Sequence, residues 1–103
     1  MKKAKRERLE AKGWKVGTVA EFLGLTPEES ALIGIKLALA RHLRERRQKR
    51  MTQAQLAKKI QSSQSRVAKA ETGDSSVSLE LLVRAMLATG ASPKEIARAI
   101  ASS

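Results

Sequence analysis

From about residue 30 onward the apolar residues recur at spacings of three and four, as in helices with one buried face. No run alternates apolar with polar long enough to predict a strand. In the longest such segment Leu32, Ile35, Leu39, Leu43 and Arg46 share one stripe, and Ile33, Leu37 and Ala40 lie on its neighbour. The first half of this segment is apolar over a wide arc, suited either to burial on two sides or to a seam between two copies. Past Arg41 it turns basic, reading RHLRERRQKR.

Helix starts are marked by local chemistry. Thr26-Pro-Glu-Glu29 and Ser92-Pro-Lys-Glu95 each combine a capping hydroxyl, proline at the first helical position and glutamate at the third. Thr52-Gln-Ala-Gln55 is the glutamine version of the same box, and Ser63 and Ser78 precede two further amphipathic runs. Gly24, Gly73 and Gly90 stand where helices favour a left-handed terminating residue. The expected helices are 19–23, 27–49, 53–60, 64–72, 79–89 and 93–101. The fold class is all-α, with a basic extension over residues 1–26 and a helical domain over residues 27–103. Trp14 and Phe22 are the only aromatics, and serve either a small satellite core or a partner-binding anchor.

Two short helices, 53–60 and 64–72, stand back to back across a polar hinge. At 100° per residue, Val67, Ala70 and Glu71 of the second point one way and Gln64, Ser65, Ala68, Lys69 and Thr72 the other, with Arg66 on the flank. The inward set suits packing against Leu56, Ala57 and Ile60. The outward set is short-chained and rich in hydrogen-bonding groups, as a contact surface is. Gln pairs with adenine, Lys donates to guanine, Ser serves several bases and an alanine methyl meets that of thymine. Gln64, Ser65, Ala68 and Lys69 are therefore the candidate base-reading residues. Gln53, Ser63, Arg66, Arg50, Lys49 and Thr72 are the candidate phosphate contacts, Gln53 standing at a helix start, which favours anions.

Charge points the same way. Among 103 residues, 21 are Lys or Arg and 10 Asp or Glu, leaving a formal net charge of +11. Such an excess argues for a polyanionic partner. It is concentrated in residues 1–26 (net +4) and 27–61 (net +6), against +1 for residues 62–103.

The segment Met51–Gly73 resembles the helix-turn-helix of the lambdoid phage repressors and the wider Xre family. The likeness is carried by Thr52-Gln53, Leu56-Ala57, Ile60, Gln64, Val67 and Glu71-Thr72-Gly73. It implies a five-helix lambda-repressor-like domain, covering roughly residues 32–100, that binds double-stranded DNA as a homodimer and represses transcription in the cytoplasm. It also implies an ion pair between Arg46 and Glu71. One departure is Gln61, which occupies the turn position usually held by glycine. The flanking stretches resemble antitoxins of the host-inhibition-of-growth class, which implies a RelE-like toxin as a partner and autoregulation of a toxin–antitoxin operon. Residues 1–26 then either bind that toxin or grip phosphate. A stand-alone phage-type repressor, or an interaction module without a toxin, is the alternative. The dimer seam is either the apolar half of 27–40 or the C-terminal helix.

Other chemistry finds little footing. There is no cysteine and one histidine, His42, expected on the surface or against phosphate, so neither a thiolate nor a metal site is expected. The glycines at 13, 17, 24 and 34 are isolated and form no phosphate loop. The serines at 62, 63, 65, 75, 76 and 78 read as caps and turn formers with no base to activate them, so neither an enzyme nor a cofactor is expected. No apolar run approaches the ~20 residues of a membrane span, and residues 1–12 offer too little apolar area to anchor on a bilayer.

Overall fold

The computed structural model describes residues 24–103. The chain divides into two compact units, Met1–Ile33 and Gly34–Ser103. The described part of the first unit opens with the box expected at Thr26. The Glu29 N–H donates to Thr26 Oγ1 at 3.1 Å and the Thr26 N–H to Glu29 Oε1 at 2.8 Å. There α1 begins, spanning Pro27–Gln48. It is followed by α2 (Gln53–Lys59), α3 (Gln64–Thr72), α4 (Leu79–Ala88) and α5 (Pro93–Ala101). No strand occurs among the described residues. The expected helix over 19–23 lies outside them.

Each of the later helices starts where its cap requires. Thr52 and Gln55 close a reciprocal box on α2, and Ser92 and Glu95 do the same on α5. Ser63 accepts from the Arg66 N–H and Ser78 from the Leu81 N–H, both at 3.1 Å. Each cap satisfies a backbone donor that the helix itself cannot, a contribution of about 1 kcal/mol.

The core of the second unit is aliphatic. Leu39 and Leu43 of α1, Leu56 of α2, Val67 of α3, and Leu82 and Met86 of α4 are its largest fully buried side chains. Burying each contributes roughly 1.5–3 kcal/mol. Ile96 and Ala99 add the buried face of α5. Part of the long apolar arc of α1 behaves differently. Leu32, Ile33 and Leu37 remain 45%, 44% and 49% exposed, so burial on two sides is not what this chain provides there. His42 is half-buried at the surface. Its Nε2 lies 3.3 Å from Ser102 Oγ, whose own proton goes to the Ala99 carbonyl at 2.6 Å.

The turn between α2 and α3 takes the shape glycine would give it, without glycine. Gln61 has φ of 55°, the one positive φ outside glycine among the described residues. The Gln61 N–H donates to the Lys58 carbonyl at 3.2 Å and the Ser62 N–H to the Ala57 carbonyl at 2.8 Å. This is the same pair of bonds that ends α3 around Gly73, where the Asp74 N–H reaches Lys69 and the Gly73 N–H reaches Ala70. The departure at Gln61 thus costs roughly 1–2 kcal/mol of backbone strain and leaves the turn intact. At Gly73 a Cβ would stand 2.5 Å from Leu37 Cδ2, so that half-exposed side chain would have to shift to admit one.

Candidate nucleic-acid interface

Helix α3 is fixed on one side and open on the other. Val67 and Ala70 are 1% exposed and Glu71 7%, all turned into the core. Gln64, Ser65, Arg66, Lys69 and Thr72 are exposed and Ala68 half-buried. The four candidate base readers thus lie on the free side of the helix, as the 3.6-residue period requires.

The buried carboxylate sets the tilt of α3. Arg47 donates to it twice, from Nε to Oε2 and from Nη2 to Oε1 at 3.0 Å, and Gln53 Nε2 donates to the same Oε1 at 3.1 Å. The side chains of Arg47 and Glu71 are 12% and 3% exposed, so this is a forked, nearly dry ion pair. A pair of this kind orients more than it stabilises, because desolvation offsets much of the attraction.

The Arg46–Glu71 pair expected from the sequence is therefore not formed. Arg46 instead donates from Nη1 to Glu95 Oε2 at 2.9 Å and from Nε to Thr89 Oγ1 at 3.1 Å. The reason is rotational. Arg47 stands one turn beyond Leu43, so it follows that residue toward α3, while Arg46 is turned about 100° away, toward the start of α5.

The candidate phosphate contacts divide into committed and open groups. Gln53 is half-buried with one amide N–H held by Glu71. Ser63 Oγ accepts the Arg66 N–H, and Thr72 Oγ1 donates to the Lys69 carbonyl at 2.9 Å, yet both residues are exposed. Arg50 is exposed, with Nη1 on the Arg46 carbonyl at 3.1 Å, and Lys49 and Arg66 are exposed.

A cleft of about 230 Å³ joins these elements, with Arg44, Gln48 and Gln53 on one wall and Ala68 and Thr72 on the other. Arg44 and Gln48 were not singled out by sequence. The one signal available was spacing: Arg44 stands three residues before Arg47 and Gln48 four after Arg44, so each follows the other along the flank of α1 beside α3. Arg84 also escaped notice. Its Nη2 donates to the Ile60 carbonyl at 3.1 Å and satisfies the end of α2.

Among the described residues no helix is long and apolar enough to cross a membrane, and no three His, Cys, Asp or Glu side chains gather as metal ligands. Two short capped helices across a tight left-handed turn, the second exposing a polar face beside a basic cleft, define a helix-turn-helix DNA-binding domain. Residues 38–99 match the family described as a helix-turn-helix domain, and the chain belongs to that family. The protein is a DNA-binding regulator of this class. No curated protein and no solved structure matches it.

Proposed function

We propose that the protein is a sequence-specific repressor that reads double-stranded DNA through the free side of α3. The carrying observation is the exposed set Gln64, Ser65 and Lys69 with Ala68 among them, on a helix whose opposite side is locked by Val67 and the Arg47–Glu71 pair. In this reading Gln64, Ser65, Ala68 and Lys69 meet base edges in the major groove. Gln53, Ser63, Arg66, Arg50, Lys49 and Thr72 meet phosphates, joined by Arg44 from the cleft wall. Selection from a randomised duplex pool tests it. A defined consensus is expected, and recovery of unenriched sequence contradicts it.

The repressor works as a two-fold dimer on half-sites about 34 Å apart. Within the second unit, Leu37 of α1 and Leu87 of α4, 49% and 47% exposed, are apolar side chains available for a seam. Sedimentation with and without the selected duplex tests this, and monomer alone at micromolar concentration contradicts it.

The finer assignment, from the likeness of the flanking segments to Xre-type antitoxins, is an autoregulating antitoxin of the host-inhibition-of-growth class with a RelE-like toxin as its partner. Residues 1–26 are then the toxin-binding segment. Co-expression with the product of the adjacent gene tests it. A product that neither inhibits growth nor co-purifies removes the toxin and leaves the repressor.

A further inference from the structure

A second concave feature lies away from the free side of α3. It is an open cavity of about 420 Å³ lined by Arg50, Met51, Gln55, Lys58 and Lys59, and it shares no residue with the cleft beside Ala68 and Thr72. The angular position of its residues explains why. Gln53 turns toward Glu71 and α3. Counting from Gln53, Lys58, Gln55 and Lys59 lie about 140°, 200° and 240° round the axis of α2. The cavity therefore opens on the side of α2 away from the contact with Glu71.

Its chemistry is mixed in a particular way. Three cations and one amide form the rim, and no acidic residue lines it. Met51 is half-buried and packed against the core, so its thioether supplies an apolar floor, extended by the methylenes of the two lysines. Lys58 and Lys59 are exposed and make no ion pair among the described residues. A phosphate chain would use the rim and leave the floor unused. A second copy of this chain, at net +11, brings charge of the wrong sign.

We infer that this face of α2 docks an acidic segment of another protein, one apolar side chain seated on Met51 and flanking carboxylates paired with Lys58, Lys59 and Arg50. Arg50 is the one residue shared with the candidate phosphate contacts, so the test substitutes the two lysines, which are exposed and leave the core untouched. The probes are a short fluorescein-labelled peptide of aspartates around one central leucine, its central-serine counterpart, and a mixed-sequence duplex. The leucine peptide is expected to bind about fivefold or more tightly than the serine peptide, and to shift the methyl resonance of Met51 in the full-length protein. Lys58→Gln with Lys59→Gln is expected to weaken it about fivefold or more while changing duplex affinity about twofold or less. Three results overturn the inference: no peptide binding, equal binding of the two peptides, or a duplex that shifts the Met51 methyl and loses as much affinity as the peptide.

Discussion

Arg47 holds Glu71 through two guanidinium nitrogens, Nε and Nη2, and so the last turn of α3 is tied to α1 through a nearly dry pair. Removing one partner leaves a buried charge without compensation. Arg47→Ala is expected to destabilise the domain by about 3–5 kcal/mol. Arg47→Leu combined with Glu71→Leu is expected to recover most of that loss. Arg46→Ala, whose partner Glu95 sits at 42% exposure, is expected to cost much less. Urea midpoints at constant slope check all three. An Arg46→Ala loss equal to that of Arg47→Ala would assign the anchoring to the wrong arginine.

Gln61 carries strain that glycine would relieve. Part of the gain is offset by the greater freedom of glycine in the unfolded chain, so Gln61→Gly is expected to stabilise by roughly 0.5–1 kcal/mol. That corresponds to a rise in Tm of about 2–8 °C for a domain of this size. Gln61→Val, β-branched at a left-handed position, is expected to destabilise. Thermal melts of the two variants give opposite signs if φ at this turn is positive.

Ser62 follows directly. Its Oγ is buried and has no hydrogen-bond partner. Leaving such a hydroxyl unsatisfied costs about 1–3 kcal/mol, so Ser62→Ala is expected to be neutral or stabilising. A clear loss of stability in urea would mean that the hydroxyl has a partner.

Acid sensitivity has a defined sign. The Ser92 backbone N–H, then its hydroxyl and the Arg46 charge, hold the Glu95 carboxyl below its ordinary value of 4.5. The Ser76 hydroxyl and N–H hold Asp74 below 3.8, and the Thr26 N–H holds Glu29 below 4.5. Groups lowered in the folded state stabilise it above their ordinary values and lose that contribution as pH falls through the folded ones. Stability is therefore expected to be flat near neutrality as far as these groups are concerned, and to fall below about pH 4.5. Ser92→Ala is expected to flatten part of that fall, measured as urea midpoints against pH.

Much of this architecture is legible in the sequence because its determinants are local. A hydroxyl at 52, 63, 78 or 92 and the backbone N–H three residues on belong to one turn of chain, and each helix starts there. The free side of α3 is legible for a similar reason: a nine-residue helix with Val67 and Ala70 on one side has a single consistent phase. What fails is phase along a long helix and contact across it. In α1 the stripes containing Leu39 and Leu43 pass close to both Arg46 and Arg47, and a rotation of one residue exchanges their partners. The bond from Arg84 to the Ile60 carbonyl joins residues 24 apart, and the cleft wall formed by Arg44 exists only once three helices meet. No local pattern announces either.

The central claim is that Gln64 reads a base. The most direct measurement is the ratio of cognate to mixed-sequence duplex affinity for the wild type and for Gln64→Ala, at one fixed salt concentration. The variant is expected to lose about 1–3 kcal/mol on the cognate site, to tolerate substitution at one base pair, and to keep its affinity for mixed sequence. An equal loss on both duplexes, or an unchanged preference at every base pair, would contradict it.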